Sequence, residues 1–368
     1  MEFRIATEEL AKALHRAQGI AERKTTIPIL ANVLVQAKKG GVSLTAFDLD
    51  IGLVSEHPAE VAKEGAITLS SKTLFDIVRA LPDAQVTLKR TGNNAVEITS
   101  GSAHIKLLGM PAEEYPALPK EEKSNLVKAE GKALLEMIQK TTFAISTDET
   151  RYILNGLYFE PGDKGTVRAV ATDGHRLSLV ERAMEGDFKL TKGVILPRKG
   201  LLELRRLLEE APEAECFLGF GDSSAVFKKS GLSMFMRLID GQFPDYKEVI
   251  PKEPEKVLTL GRQALLDTLK RISLLSEEKS HAVRVELADD RLRISSQNTD
   301  LGEAHEDVPV PYKGKKVEVG FNARYLVDVL TVMDTDEVAL EIVDEQSPGV
   351  LRPAGDKSYT AVIMPMRI

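Results

Sequence analysis

The sequence repeats one local pattern three times: a short β-branched run, an amphipathic segment, a polar link and a second β-branched run. The three copies cover residues 3–35, 126–159 and 257–287. A supersecondary unit that recurs along a chain indicates a repeat architecture, in which one structural unit is built several times. This repetition constrains the fold more than any single motif does.

A second pattern follows each copy of the first. Residues 67–81, 194–208 and 317–333 combine a β-branched run, a turn and apolar residues at i, i+3, i+4 and i+7, the spacing of an amphipathic helix. Alternating apolar and polar residues come next, broken by Gly, Asn, Asp and Ser, and this predicts antiparallel strands with turns. We therefore predict an α+β protein with six helix-plus-sheet halves, paired into three similar domains.

Two proline-rich, charged segments predict the domain boundaries. Residues 110–125 and 241–256 follow the alternating strands at equivalent places in the first two repeats. The predicted domains are residues 1–120, 121–253 and 254–368. Each is close to the usual size of a protein domain.

The composition predicts a reducing environment. Cys216 is the single cysteine among 368 residues, so the sequence has no internal disulfide framework. The amino-terminal residues MEFRIATEEL do not resemble a signal peptide, and no apolar run approaches membrane-spanning length. We expect a soluble protein in the cytoplasm.

Basic residues recur on the predicted helices although the formal net charge is −7. They lie near the first turn and again about two turns later, a spacing that places them along one helical face. These residues are Lys12, Arg16, Arg23, Lys24, Lys72, Arg79, Lys132, Lys140, Arg198, Lys199, Arg205, Arg206, Arg262, Lys270, Arg271 and Arg324. If the six helices share one surface, that surface is positive and the acidic excess lies elsewhere.

An alternative interpretation is that these are ordinary solvated helix faces. Glu8, Glu136, Glu203 and Asp267 are interleaved with the basic residues and are available to pair with them. Aromatic residues make up 5% of the chain and tryptophan is absent, which does not favour a base-stacking surface for single strands. Basic helices without stacking groups suit the phosphate backbone of a duplex, contacted without reading the base sequence.

The sequence carries no recognised catalytic motif. It lacks G-x-x-x-x-G-K-[ST], H-E-x-x-H, G-x-S-x-G and C-x-x-C, and its six histidines are scattered without metal-ligand spacing. Acidic clusters at 48–50 and 303–307 could hold a divalent cation, as in a nuclease, but solvated strand ends explain them better. We predict no metal, no cofactor and no enzymatic activity. A scaffold that binds only proteins is a third possibility.

Two local runs are unusual. In ATDGHRLSLV (171–180), Asp173 could orient His175 as a general base, but no nucleophile or oxyanion motif accompanies them, and a glycine turn accounts for the spacing. The carboxyl-terminal run YTAVIMPMRI (359–368) is apolar and rich in methionine. Such an adaptable apolar segment is suited to docking peptides.

Five motifs in a fixed order resemble the bacterial DNA polymerase sliding clamps, the beta subunits of the replicative polymerase. They are RYILNGL (151–157), ATDGHRL (171–177), VILPRKG (194–200), FPDY (243–246) and MPMRI (364–368). The resemblance implies a homodimeric, head-to-tail ring around duplex DNA, with helices inside and sheets outside. It further implies a non-catalytic processivity factor that binds the replicative polymerase, the clamp loader and repair proteins through short linear peptides.

The resemblance also implies three sets of functional residues. The DNA-facing residues are Lys24, Lys72, Arg79, Tyr152, Lys199 and Arg206. The partner-peptide site comprises Leu154, Thr172, Gly174, His175, Arg176, Leu177, Pro244, Val249, Val362, Ile363, Met364, Pro365, Met366 and Arg367. The dimer interface joins Ile105 and Leu107 to Leu274 and Leu275 of a second copy. Asp148 and Glu248 place carboxylates where related clamps often carry neutral polar or basic residues.

Overall fold

The computed structural model describes residues 1–21, 26–119, 126–184, 188, 190, 192–251 and 256–367. Within these residues the chain forms six α-helices, six 3₁₀ helices and 25 β-strands. The 3₁₀ helices are Pro28–Ala31, Ala112–Glu114, Thr142–Ala144, Glu149–Leu154, Asp163–Gly165 and Tyr246–Val249.

The α-helices and strands follow the three predicted repeats. The first repeat contains β1 (Glu2–Ala6), α1 (Thr7–Ala17), β2 (Asn32–Lys38), β3 (Gly41–Phe47), β4 (Ile51–Pro58), β5 (Glu60–Lys63), β6 (Gly65–Ser70), α2 (Ser71–Arg79), β7 (Gln85–Arg90), β8 (Ala95–Ser100) and β9 (Ala103–Leu108). The second contains β10 (Val127–Ala129), α3 (Gly131–Gln139), β11 (Gly156–Pro161), β12 (Thr166–Thr172), β13 (Arg176–Ala183), β14 (Val194–Pro197), α4 (Arg198–Glu210), β15 (Cys216–Phe220), β16 (Ser224–Lys229) and β17 (Leu232–Arg237). The third contains β18 (Lys256–Gly261), α5 (Arg262–Ser273), β19 (Ala282–Ala288), β20 (Arg291–Asn298), β21 (Gly302–Pro309), β22 (Val317–Asn322), α6 (Ala323–Val332), β23 (Glu337–Ile342), β24 (Gly349–Pro353) and β25 (Tyr359–Ile363).

The helices form where the apolar spacing predicts them. In α1 the buried residues are Leu10, Ala13, Leu14 and Ala17, which fall on one face at intervals of three and four. Side-chain caps fix the start of two helices: the Ser70 hydroxyl accepts a hydrogen bond from the Thr73 amide (3.3 Å), and Asn322 Oδ1 accepts one from the Arg324 amide (2.9 Å). The prediction of six helices is confirmed within the described residues.

The chain divides into two compact units. The first comprises Met1–Lys132, Glu185–Leu190 and Lys199–Leu238. It contains a five-stranded sheet in the order β5-β1-β7-β8-β9 and an eight-stranded sheet in the order β10-β15-β16-β17-β4-β3-β2-β6. Helix α1 packs on α2 and on β3 and β4 in this unit.

The second unit comprises Ala133–Met184, Thr191–Arg198 and Ile239–Ile368. Its eight-stranded sheet has the order β14-β11-β12-β13-β25-β24-β23-β18, and its four-stranded sheet has the order β21-β20-β19-β22. Helix α5 packs on α6 and against this smaller sheet. The second repeat is therefore shared, with one half in each unit.

Antiparallel pairing between repeats makes the two large sheets continuous. Strand β17 pairs with β4, with Met234 opposite Leu53. Strand β25 pairs with β13 in the same way, with Ala361 opposite Ser178. In the two smaller sheets, β9 and β21 remain as edge strands.

The repetition extends to single backbone bridges. Just after the last strand of each repeat, one residue bridges back to the strand that precedes the second helix. These bridges pair Met110 with Thr68, Ile239 with Ile195, and Met366 with Gly320. The sequence repeat therefore corresponds to a structural repeat at the level of backbone register. Among the described residues, no helix has the length and apolar character needed to span a bilayer.

Glu136 of α3 is tied to β13 by charged hydrogen bonds. Arg182 Nε donates to Glu136 Oε2 (2.9 Å), and Lys140 Nζ donates to Oε1 (2.5 Å). These bonds, that from Arg182 above all, hold the pKa of Glu136 at about 2, below its ordinary value of 4.5. Its contribution to stability is therefore complete above about pH 4.5 and is lost as the pH falls toward 2.

We predict that Glu136→Gln lowers the free energy of unfolding at pH 7 by about 1 kcal/mol and reduces the loss of stability between pH 5 and pH 2.5. Urea unfolding at several pH values measures both effects. Glu130→Gln, an exposed carboxylate just before the same helix, is the matched control. Equal acid sensitivity in the two variants would contradict the assignment.

Candidate functional site

Two of the predicted DNA-facing residues lie free on helix α2. Lys72 and Arg79 are exposed, seven residues apart, and neither has an ion-pair partner within the part of the chain that the structure describes. The Arg79 guanidinium lies over the ring of Phe75, 5.4 Å from its centroid. Both cations are therefore available to an anion.

Two other predicted DNA-facing residues already contact carboxylates. Lys199 Nζ forms an ion pair with Asp48, whose side chain is only 3% exposed. Arg206 Nη1 lies 3.2 Å from Glu203, and its Nη2 lies 3.1 Å from His15 Nε2. A phosphate group must compete with these partners. Lys24, also predicted to face DNA, lies outside the described residues.

The alternative interpretation, in which the basic residues lie on solvated helix faces and pair with carboxylates, agrees with the structure at several positions. Lys12 pairs with Glu8 (2.7 Å) and Lys140 pairs with Glu136 (2.5 Å), both at the i,i+4 spacing that brings side chains together on a helix. Arg16 reaches Glu210 on α4 (2.6 Å). The positive character of the helices is therefore uneven, and Lys72 and Arg79 of α2 are among the basic residues that no described carboxylate pairs with.

The loop that bears Tyr152 combines an exposed aromatic ring with an ionised carboxylate. Tyr152 is 58% exposed. Asp148 Oδ1 accepts hydrogen bonds from the Thr150 hydroxyl (2.7 Å) and amide (2.9 Å), and these bonds lower the pKa of Asp148. The carboxylate stays charged at neutral pH and forms an ion pair with Arg151 (3.7 Å), so the loop carries both charges beside the exposed Tyr152 ring and hydroxyl.

The acidic clusters are engaged by the protein itself. Asp48 Oδ1 accepts hydrogen bonds from the amides of Asp50 (3.0 Å) and Ile51 (2.6 Å), which stabilises a turn. In the second cluster, Glu306 binds Arg271 (2.6 Å) and Asp307 binds Arg293 (2.7 Å). Turn formation and ion pairing engage Asp48, Glu306 and Asp307, whereas the sequence interpretation favoured solvated strand ends; Asp48 is only 3% exposed, and residues 303–307 lie within β21. No group of three or more metal-ligating side chains was found among the described residues.

Asp173 stabilises a tight turn. Its Oδ1 accepts hydrogen bonds from the amides of His175 (2.9 Å) and Arg176 (3.0 Å), and Gly174 between them adopts a φ of 89°. The carboxylate thus binds the backbone of His175, which matches a structural turn and not an oriented general base.

Arg176 is the centre of a polar and aromatic cluster. Its Nε donates to Asp173 (3.0 Å), its Nη1 to Asp328 of α6 (2.5 Å) and its Nη2 to the Phe143 carbonyl (2.5 Å). The ring of Tyr325 stacks on the guanidinium, with its centroid 4.4 Å away. The side chain is 12% exposed, so Arg176 organises this region before any ligand arrives.

The predicted peptide-site residues form a buried floor with an exposed rim. Leu154, Leu177, Val362 and Ile363 are buried, and the first three share a hydrophobic cluster with Phe243 and Tyr246. The half-buried members are Thr172, Arg176, Pro365 and Met366, and the exposed members are Gly174, His175, Pro244, Val249, Met364 and Arg367. The interpretation that these residues only close a core fits the floor and not the rim.

Backbone hydrogen bonds fix the carboxyl-terminal side of this site. The Met364 amide donates to the His175 carbonyl (2.9 Å), and the Met366 amide donates to the Gly320 carbonyl (2.8 Å). These bonds tie the tail to two different elements and leave Met364 37% exposed. Sequence reasoning missed Asp328 and Tyr325, because nothing in a local pattern links α6 to a turn about 150 residues earlier.

The residues predicted for the dimer interface are apolar and accessible. Ile105 and Leu107 are half-buried on the edge strand β9, and Ile105 closes a groove of about 410 Å³ that Ile77, Ala80 and Leu81 also line. Leu274, after α5, is 77% exposed, and the following Leu275 is half-buried. The four residues are therefore accessible enough to contact another protein, as the resemblance implies.

Comparisons with known proteins identify the family. Family models of the DNA polymerase III beta subunit match residues 1–119 (N-terminal domain), 128–245 (central domain) and 247–367 (C-terminal domain). The beta sliding clamp of Caulobacter vibrioides is 38% identical over 374 residues, and that of Pseudomonas aeruginosa is 35% identical over 370 residues; each alignment covers 100% of both chains.

Solved structures agree with the sequence comparisons. A Caulobacter crescentus beta sliding clamp, crystallised with PEG, has a TM-score of 0.96 and 38% identity, covering 100% of this chain and 99% of that one. A Pseudomonas aeruginosa sliding clamp bound to griselimycin has a TM-score of 0.94 and 34% identity, covering 100% of both. The chain belongs to the DNA polymerase III beta subunit family, the beta sliding clamps.

Proposed function

We propose that the chain performs the sliding-clamp function of its family as a closed ring of two head-to-tail copies around duplex DNA. The ring is non-catalytic and acts in the cytoplasm. It tethers the replicative polymerase and other DNA-processing proteins, so that a bound polymerase stays on its template through a high effective concentration. The domains that form each half-ring are residues 1–120, 121–253 and 254–368.

The pairing of strand edges supports the ring. Within the chain, β17 pairs with β4 and β25 pairs with β13, and each pairing extends a sheet across two repeats. Strands β9 and β21 occupy the corresponding positions in the other two halves of the repeats. Each of them is an edge strand in its own sheet. Pairing β9 with β21 of a second copy repeats the same contact and leaves neither edge open.

The internal repeat also gives the register of that contact. Phe235 of β17 lies opposite Gly52, and Val362 of β25 lies opposite Leu177. The equivalent residue of β9 is Lys106. Its position in the β8–β9 hairpin matches that of Phe235 in the β16–β17 hairpin and that of Val362 in the β24–β25 hairpin. By the same equivalence its partner on β21 is Glu303. Opposite charges at facing positions stabilise an antiparallel pair.

DNA contacts in this proposal come from the basic helices. Lys72 and Arg79 supply unpaired cations, while Lys199 and Arg206 are shared with carboxylates. Lys24 and Tyr152 complete the set that we propose. Weak contacts without sequence preference suit a ring that must slide, since the closed ring and not its affinity keeps it on DNA.

Partner proteins bind, in this proposal, at the buried floor and exposed rim described above. An apolar floor of leucine and valine with a methionine rim suits a leucine or phenylalanine anchor of an extended peptide. Such short motifs are the means by which the polymerase, the clamp loader and repair proteins take turns on one clamp.

The ring predicts that apolar residues at the end of α5 hold the dimer. Replacing Leu274 and Leu275 with aspartate should give a folded monomer in sedimentation velocity, because charge is introduced where apolar surface is buried. The same variant should be lost from closed circular DNA, whereas the wild-type ring is retained on circles and released after linearisation.

Val257→Asp, at another exposed apolar residue (53%), is the matched control and should remain a dimer. Wild-type retention on circular DNA should persist in a chelator, unlike the binding of a metal-dependent nuclease. An unchanged dimer mass for the double variant, or equal retention on linear and circular DNA, would refute the ring.

For DNA binding, we predict that Lys72→Gln with Arg79→Gln reduces the salt dependence of affinity for a short linear duplex. Each lost phosphate contact lowers the slope of log K against log [salt] by about 0.9. Fluorescence anisotropy at several salt concentrations measures the slope. Lys12→Gln is the control, because Lys12 already pairs with Glu8. Slopes that match the wild type would place the DNA surface elsewhere.

For peptide binding, we predict that Val249→Ser with Met364→Ser weakens binding of a leucine- or phenylalanine-anchored peptide by about 2–4 kcal/mol. Val249 and Met364 are 39% and 37% exposed, so the melting temperature should stay near that of the wild type. Calorimetric titration and thermal unfolding check the two effects. Leu301→Ser, at another exposed apolar residue, should change neither. Wild-type peptide affinity in the double variant would exclude this site.

A further inference from the structure

An open polar basin lies on the face of the β19–β21 sheet. It has a volume of about 570 Å³, and Arg284, Arg293, Ser295, His305, Met366 and Arg367 line it. This volume is within the range of small-molecule and peptide-side-chain pockets. None of the proposed DNA-facing residues lines the basin; it shares Glu303 with the proposed dimer contact and Met366 and Arg367 with the proposed peptide site.

The internal repeat gives the basin a counterpart in the central domain. Arg284 of β19 pairs with Gly320 of β22, as Tyr158 of β11 pairs with Ile195 of β14. The tail residue that bridges Gly320 likewise corresponds to the residue that bridges Ile195. The basin of the C-terminal domain is thus equivalent to the groove around Tyr158.

That groove is filled by the chain's own linker. Phe243 stacks on Tyr158, with ring centroids 4.8 Å apart and planes at 2°. Three residues later Tyr246 is 5% exposed, and its hydroxyl donates a hydrogen bond to Glu160 Oε1 (2.5 Å). Burial, followed by the bond to Glu160, raises the pKa of Tyr246, so the phenol remains a donor at neutral pH.

The carboxylate that receives Tyr246 belongs to a row of three charged residues on adjacent strands. Glu160 lies opposite Arg168, and Arg168 lies opposite Glu181. Arg168 Nε donates to Glu181 (2.6 Å), and its Nη1 lies 3.9 Å from Glu160. Under the linker these side chains are 15–26% exposed.

The same row recurs without a tyrosine around Arg293, which lines the basin, with Glu286 and Asp307 on the strands to either side of it. Glu286 lies opposite Arg293, and Arg293 lies opposite Asp307. Arg293 binds Asp307 through two hydrogen bonds of 2.7 and 2.8 Å. Here Arg293 and Asp307 are 34% and 39% exposed, whereas Glu286 is 18% exposed and forms an ion pair with the exposed Lys316 (2.7 Å).

The N-terminal domain shows that the row is not part of every repeat. Its equivalent positions are Gln36, Ser43 and Glu56, which hold no arginine. Its linker tyrosine, Tyr115, instead donates to the Asn32 carbonyl (3.4 Å). An acid–arginine–acid row is therefore present in the central domain, where a tyrosine hydroxyl binds it, and absent from the N-terminal domain, where the tyrosine binds a backbone carbonyl.

We propose that the basin of the C-terminal domain is a second docking site, which binds an extended partner segment of the pattern aromatic-x-x-Tyr. The tyrosine hydroxyl donates to Glu286 beside Arg293, as Tyr246 does to Glu160. The preceding aromatic ring stacks on the guanidinium of Arg284, which takes the place of the Tyr158 ring.

The polar lining of the basin disfavours the leucine anchors that we propose for the other peptide site. Ser295 and His305 stand where Val170 and Leu179 line the central groove. A purely aliphatic anchor would leave these polar groups buried and unpaired, which costs free energy. The docking of one partner here is compatible with a different partner at the leucine-selective site.

The test uses the intact protein and a labelled peptide with the sequence GQFPDYKE, which is that of residues 241–248. Fluorescence anisotropy measures its affinity for four proteins: wild type, Glu286→Gln, Arg284→Met and the charge-matched control Glu278→Gln, which lies outside the basin. A second peptide carries Phe in place of Tyr.

We expect the Tyr peptide to bind the wild type and Glu278→Gln equally. Glu286→Gln, Arg284→Met and the Phe peptide should each weaken binding by about tenfold, since a hydrogen bond to a charged group or a stacked guanidinium is lost. Combining Glu286→Gln with the Phe peptide should cause no further loss, because both remove the same contact.

Several results would overturn the proposal: no binding by the wild type, equal affinity for the Tyr and Phe peptides, or a loss that Glu278→Gln reproduces. If Glu286→Gln binds normally, the peptide occupies another site, such as the leucine-selective one, and the basin assignment is wrong. The readout needs neither DNA nor polymerase. Failure of the clamp proposal would therefore be seen separately.

Discussion

Antiparallel pairing of strand edges is the interaction on which the rest of this structure depends. An edge strand presents unpaired amide and carbonyl groups, and an exposed edge invites association with other chains. This chain satisfies two such edges internally, where β17 joins β4 and β25 joins β13. Each of these contacts merges halves of successive repeats into one sheet of eight strands. The compact units therefore follow the sheets and not the repeats, and the second repeat is divided between them.

The local pattern of the sequence predicts elements well and their partners poorly. The apolar spacing locates all six described helices, because a helical face is set by residues three and four positions apart. No such spacing shows that β17 extends the sheet of β4, since the paired residues are about 180 positions apart. The same limit applies to the candidate site. The motif around Arg176 is readable in sequence, whereas its contact with Asp328, 152 residues away, is created only by folding.

The charged residues show the same contrast between what the sequence predicts and what only the folded structure shows. The sequence shows basic residues on helix after helix, but it cannot show which of them a carboxylate already neutralises. Lys199 and Asp48 are 151 residues apart and form an ion pair. Lys72 and Arg79 have acidic residues nearby in sequence, yet the described structure gives them no ion pair. A protein with an acidic total charge can therefore hold a small, unneutralised basic surface, and a sequence-blind grip on phosphates needs no more than that.

The three repeats share a backbone but differ in what covers one equivalent sheet face. In the N-terminal domain Tyr115 reaches a backbone carbonyl, and in the central domain Tyr246 reaches Glu160 of a charged row. A charged row beneath a buried tyrosine is stable because the hydroxyl and the arginine satisfy the carboxylates. In the C-terminal domain the same row is retained with Arg293 and Asp307 more exposed, and Lys316 pairs with Glu286. Retention of a geometry that fits a tyrosine hydroxyl, where no described tyrosine hydroxyl binds it, is what distinguishes this basin from ordinary polar surface.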